Sequence, residues 1–204
     1  MKRSLRLLAV ALAAGLALAA SPLPSSASVT GAAKATNCDP WQGRNIYISV
    51  LKPDTPKMVI GINRASMNSG ERAILATLDV NAPNQRWDYR PCLLGGSWFL
   101  QLQNRKSHLC LDKSEDVPNG NGNAVYQYRC SDPTSSPPAN NQLWRQQSQG
   151  GSSGQWQQLY NRAGNRCLDI TNEKFENGAL LVQWDCAPNQ TDTTSRTQQW
   201  NAYP

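Results

Sequence analysis

Histidine is nearly absent from this 204-residue chain: His108 is the only one. No C-x-x-C pair occurs among the six cysteines either. A zinc site needs closely spaced thiols or imidazoles, so neither a metal nor any other cofactor is expected. No Ser-His-Asp or Cys-His set can be assembled around His108, which sits two residues before Cys110 and reads as a strand-edge residue. Beyond residue 20 no apolar run is long enough to span a bilayer. Charge is also in short supply. The formal net charge is +6, but Lys2, Arg3 and Arg6 contribute three of the 20 basic residues and precede an apolar run. Without them 17 basic side chains face 14 acidic ones. That balance is too slight and too scattered to call for nucleic acid.

The apolar run, Leu7–Ala20, is interrupted only by Gly15. At 14 residues it is too short for a membrane span and right for the hydrophobic region of a secretory signal. Ser25 and Ala27 are small residues at the −3 and −1 places for cleavage after Ala27; Ala19 is the alternative. The expectation is an exported, extracellular protein with a signal at 1–27, a small polar tail at 28–37 and one domain over 38–204. In that setting six cysteines read as a disulfide framework, for which fifteen pairings are possible.

An internal repeat organises the rest. Cys167-Leu168-Asp169 opens a unit that continues through N-G-A-L-L-V-Q-W-D-C to Cys186 and ends in Gln198-Gln199-Trp200. One unit earlier, Cys110-Leu111-Asp112 leads through N-G-N-A-V-Y-Q-Y-R-C to Cys130 and to Gln142-Leu143-Trp144. From the second cysteine to the Gln of Q-x-W is 12 residues in both. A worn copy ends at Gln85-Arg86-Trp87, so the tryptophans at 87, 144 and 200 are spaced by 57 and 56. Approximate units are 38–91, 92–147 and 148–204. Equivalent positions suggest pairing Cys110 with Cys130 and Cys167 with Cys186, which leaves Cys38 for Cys92. Each short loop would contribute roughly 3 kcal/mol in the chain-entropy account.

Local patterning is all-β. Ile46–Leu51, Trp98–Leu102 and Trp156–Tyr160 are β-rich runs at matching places. Asn119-Gly120-Asn121-Gly122 and Asn177-Gly178 are hairpin-turn signals. Glu71–Leu78 has helical propensity, but its alignment with two strand-like runs makes it a strand. The polar stretches 131–141 and 187–197 are equivalent surface loops, and 146–155 joins two units that each hold too few apolar residues to bury a core alone. Asn189-Gln190-Thr191 forms a glycosylation sequon on one of those loops.

The repeated C-L-D and Q-x-W motifs resemble those of the ricin B-type lectins, also called R-type lectins or family-13 carbohydrate-binding modules. The resemblance covers Cys38 to Pro204. It implies a β-trefoil, twelve strands with pseudo-threefold symmetry, with Trp87, Trp144 and Trp200 in the core. It also implies sugar binding by the Asp of C-L-D, the aromatic two before the second cysteine and the Asn before Q-x-W, with the Gln bracing the Asp. A carboxylate accepts sugar hydroxyls, an aromatic plate meets the C–H face of the ring, and an amide serves the remaining hydroxyls.

By that rule the second unit carries Asp112, Tyr128, Asn141 and Gln142 and is the first choice of site. The third carries Asp169, Trp184 and Gln198, with Thr197 in place of Asn. The first has lost the site: Gly61 falls at the Asp place and Thr77 at the aromatic place, while Val59 and Asp79 replace the cysteines and Asn84 and Gln85 survive. Tyr126 and Val182 stand where family members often carry a sugar-contacting Gln.

The function expected is a non-catalytic lectin whose partners are glycans or a polysaccharide. Each site should bind weakly, on the order of 0.1–1 mM. Galactose-type and xylose- or arabinose-type ligands both fit. A protein-binding trefoil, either a protease inhibitor or a toxin delivery subunit, is the alternative; a glycosidase ranks below it.

Overall fold

Short β-rich runs broken by Asn-Gly and Pro-containing turns give a chain of strands. The computed structural model describes residues 37–51, 56–115, 119–132, 139–147, 157–188 and 193–204. The expected signal, the expected tail up to residue 36, Trp156 and the Asn189–Thr191 sequon therefore lie outside the described residues, while Asn37, assigned to the tail on sequence, already pairs with Leu93 in the first strand. Thirteen strands follow in order: β1 Asn37–Cys38, β2 Gln42–Val50, β3 Met58–Ile62, β4 Ala73–Thr77, β5 Trp87–Leu94, β6 Ser97–Asn104 and β7 Cys110–Lys113. The remainder are β8 Val125–Tyr128, β9 Trp144–Gln147, β10 Gln158–Asn161, β11 Arg166–Ile170, β12 Leu181–Trp184 and β13 Trp200–Tyr203. Among the described residues there is no α-helix, only 3-10 turns. The Glu71–Leu78 stretch holds the strand β4, so burial of Ala73, Leu75 and their neighbours overrides its helical propensity.

Six strands close on themselves. β13 pairs with β2, β2 with β5, β5 with β6, β6 with β9 and β9 with β10, and a Gln157–Trp200 bridge completes the ring. Closure leaves no free edge to template aggregation. The hairpins β3–β4, β7–β8 and β11–β12 are joined by bridges Arg72–Tyr126, Ala124–Val182 and Ile74–Leu180. The result is the pseudo-threefold β-trefoil, with β1 as a thirteenth strand pinned by Cys38–Cys92. The other disulfides are Cys110–Cys130 and Cys167–Cys186, the pairs the repeat suggests.

One core cluster draws on all three repeats, from Ile46 and Ile60 through Leu111 and Val125 to Leu168 and Leu181. Trp87, Trp144 and Trp200 lie in it fully buried. A tryptophan buries roughly 200 Å². At about 25 cal/mol per Å² each contributes up to about 5 kcal/mol, an upper bound set by the extended-chain reference. Their indole N–H groups donate to Ile60 O, Leu111 O and Leu168 O at 3.1, 3.0 and 3.1 Å. Each acceptor is the residue before the Asp place of its own repeat. The core tryptophan thus fixes the backbone that presents the carboxylate.

Strand register corrects one assignment in the first repeat. Val59 faces Ala76 as Cys110 faces Tyr128 and Cys167 faces Trp184. The aromatic place is therefore held by Ala76, not Thr77, and the second-cysteine place by Leu78, not Asp79. Without a disulfide to anchor the alignment, the worn repeat slips by one residue on sequence alone. His108 also differs from expectation. It lies in the turn between β6 and β7 with φ +58, not at a strand edge.

Candidate functional site

On an antiparallel pair, residues directly opposite share a face, as do alternate residues along each strand. Asp112 faces Tyr126, and Tyr128 lies two residues further along β8, so carboxylate and aromatic stand diagonally on one face. β11 and β12 repeat the arrangement: Asp169 faces Val182, with Trp184 two residues on. Tyr128 and Trp184 are about half exposed, at 49% and 47%.

The two carboxylates differ in what holds them. Asp112 is 1% exposed. Asn141 Nδ2 donates to its Oδ1 at 2.9 Å, and Gln142 Nε2 donates to its Oδ2 at 2.7 Å. Gln142 is held in turn: its amide also donates to Arg129 O, and its Oε1 accepts from Ser131 N and from Gln101 Nε2. Burial pushes the Asp112 carboxyl up to about 7 and Glu115 nearby adds to the rise; the amide bonds from Gln142 and Asn141 and the charge of Lys113 oppose it.

Asp169 receives Gln198 Nε2 on Oδ2 at 2.8 Å and the Ile170 N–H on Oδ1 at 2.6 Å. Gln198 is braced by Asp185 O, Ala187 N and Gln158 Nε2. Thr197, in the Asn place, supplies no amide, and the Ile170 N–H takes the oxygen that Asn141 takes on Asp112, so each carboxylate accepts two bonds. Thr197 itself is buried.

Around Asp169 the surface opens into a cavity of about 540 Å³. Its lining includes Asp169, Glu173, Trp184, Asp185, Thr197 and Gln198, together with Asn172 and Gly122. That is a polar cup with one broad aromatic wall. The floor comes from β11, the plate from β12, and the rim from the 3-10 turn Thr171–Glu173, where Asn172 and Glu173 both have φ +55. In the second repeat Tyr128 has Tyr126 beside it, ring centroids 6.0 Å apart. Residues 116–118 and 133–138, which flank that site in sequence, lie outside the described residues.

In the first repeat, which lacks the carboxylate, Asn84 Nδ2 donates to Ile62 O at 3.1 Å instead, while Gln85 bridges Thr77 O and Asp79 N as Gln142 bridges Arg129 O and Ser131 N. A Cβ at Gly61 would lie 3.3 Å from Gln85 Cγ. Among the described residues no group of three or more His, Cys, Asp and Glu side chains is arranged to hold a metal ion, and no helix is long and apolar enough to cross a membrane.

Several residues here escape motif reading. Gln101 and Gln158 each stand nine places before the C-L-D cysteine, a signal that full alignment of the repeats would have found. Asn172, Glu173 and Gly122 carry no such mark, because a turn and a neighbouring repeat bring them to the cavity.

A closed six-strand barrel capped by three hairpins, with a braced carboxylate beside an exposed aromatic in two of them, defines a β-trefoil of the lectin class. The chain belongs to the ricin-type β-trefoil lectin domain-like family, whose sequence profile matches residues 83–184. No curated protein sequence matches. Among solved structures it is similar to a designed threefold-symmetric protein, ThreeFoil, at 23% identity over 78% of this chain and 98% of that one, with a TM-score of 0.61. It is similar to 1,3Gal43A, an exo-β-1,3-galactanase from Clostridium thermocellum (21% identity, 78% and 30% covered, TM-score 0.58). It also resembles a Polyporus squamosus lectin bound to the epitope Neu5Acα2-6Galβ1-4GlcNAc (17% identity, 79% and 49% covered, TM-score 0.56). At these identities the shared property is the fold. The chain spans under a third of the galactanase and about half of the Polyporus lectin.

Proposed function

We propose that this protein is an exported, non-catalytic lectin that binds neutral glycans through shallow sites in its second and third repeats. The observation that carries the reading is the third-repeat cavity, where Asp169, braced by Gln198, stands below the half-exposed Trp184. Hydroxyls of a pyranose would donate to Asp169, its C–H face would lie on the indole, and Thr197 would supply a hydroxyl. The second repeat would use Asp112, Tyr128 and Asn141 in the same roles, with Gln142 holding the carboxylate. Here the acceptor is deeper, at 1% exposed against 8% for Asp169, which favours weaker binding. Two modest sites on one rigid body gain apparent affinity for a polysaccharide through effective concentration.

The test is a glycan array and a polysaccharide pull-down with wild type, Asp112→Ala, Asp169→Ala and the double variant. The reading expects loss of retention in the double variant and a larger loss from Asp169→Ala than from Asp112→Ala. Retention of the double variant at the wild-type level would refute it.

A further inference from the structure

We infer that Asn121, in the hairpin turn of the second repeat, is a positioning residue for the third-repeat site; this rests on the lectin reading of that site. Trp184 is held from both sides by residues 119–123. Before it, Gln183 O accepts from Gly122 N at 2.9 Å and Gln183 N donates to Asn123 O at 2.9 Å. The buried Gln183 amide donates to Asn119 Oδ1 and Gly120 O. After it, Asp185 N donates to Asn121 Oδ1 at 2.8 Å, and Asn121 Nδ2 donates back to Asp185 Oδ2 at 2.9 Å. Arg166 Nε joins both, 2.8 Å from Asn121 Oδ1 and 3.1 Å from Asp185 Oδ1. The backbone on each side of the indole is therefore tied to the neighbouring repeat.

The three repeats differ at this clamp in an informative way. Gly70, Gly122 and Gly178 occupy one place, with φ of +84, +87 and +92, and each turn bonds the strand of the next repeat in the ring. The residue before the glycine is Ser69, Asn121 or Asn177. Asn177 Oδ1 accepts from Thr77 N at 3.0 Å, the same bond that Asn121 makes to Asp185. Ser69 makes no such bond to Arg129 among the described residues, so Tyr128 lacks the tie that Trp184 has. The Asn-Gly pairs are thus inter-repeat clamps as well as turn formers. One of them bears on an exposed aromatic plate, and the plate without it belongs to the second site.

These bonds lie on an exposed surface, where their removal barely changes stability. Binding is affected more, because a loosened plate must be ordered again on each encounter. The test uses the full mature chain in an Asp112→Asn background with lactose and xylobiose as probes. It reads affinity by calorimetry and the ¹⁹F line of 5-fluorotryptophan at position 184, assigned through Trp184→Phe.

Asn121→Ala should weaken binding about fivefold, one hydrogen bond's worth, and broaden the Trp184 line while leaving Tm within about 2 °C. Ser69→Asn, in an Asp169→Asn background, should tighten the second site. An unaltered Trp184 line together with unaltered affinity in Asn121→Ala would overturn the inference. Should neither probe bind any variant, the lectin reading of this site fails separately, and the ¹⁹F line alone decides whether the clamp exists.

Discussion

Replacing Asp112 by Asn separates the electrostatic cost of the second site from its geometry. With the carboxyl raised to about 7 in the folded state and near 3.9 when unfolded, the native protein holds a proton that the unfolded chain has released across that interval. Folding stability is then fully present below about pH 4 and is lost as pH rises through about 7. Each pH unit inside the window costs about 1.4 kcal/mol, so about 2.7 kcal/mol should disappear between pH 5 and pH 7. Asparagine cannot ionise, and it can accept only one of the two amide donors from Asn141 and Gln142. Leaving the other donor unpaired costs about 1–3 kcal/mol at every pH. The variant should therefore be less stable than wild type at pH 5, and similar to it or more stable at pH 8. Urea denaturation at several pH values gives the comparison directly. If wild type and Asp112→Asn lose stability with pH along parallel lines, Asp112 is not the titrating group and the burial argument is wrong. The same proton should act on ligand affinity. Hydroxyls donate to the anion, so binding at an isolated second site should fall up to about tenfold per pH unit below 7.

Gly61→Asp should not restore a third site, since its Cβ meets Gln85 and Ala76 at 3.3 and 3.5 Å; an overpacking loss of about 1–3 kcal/mol in urea midpoints is expected, with no added stoichiometry in calorimetric titration. Replacing Cys110 and Cys130 together by Ala, which opens a loop of sequence separation 20, should cost about 3 kcal/mol by denaturant unfolding. The third-repeat cavity is lined by Asp169, Glu173 and Asp185 and by no basic side chain among the described residues, so a sialylated glycan should bind less well than its neutral counterpart. Glu173→Gln should narrow that gap on a glycan array while leaving neutral ligands within about 0.5 kcal/mol; an unchanged ratio would remove Glu173 from the account.

Much of the architecture is legible because its chemistry repeats. The Q-x-W tryptophans, the C-L-D aspartates and the cysteines recur at fixed spacings, and each marks a contact made inside its own repeat. Trp144 to Leu111 O and Gln142 to Asp112 are examples. The first repeat was harder to read, since without cysteines nothing separates Ala76 from Thr77 at the aromatic place. Apart from the Cys38–Cys92 disulfide, contacts between repeats were not legible. Asn121 reads as a turn residue until its amide is seen on Asp185, 64 positions away. Glu173 reads as surface charge until a left-handed turn brings it to the cavity rim. Periodicity reports what a unit does for itself, and the third-repeat cavity is built partly from its neighbour.

The cyclic sense of the hairpin contacts, turn one onto strand two, two onto three and three onto one, has a consequence for assembly. Any single 50-odd-residue lobe carries one donor face and one acceptor face that it cannot satisfy by itself. Expressed alone, such a lobe would be left to seek two copies of its own kind and close a ring with true rotational symmetry.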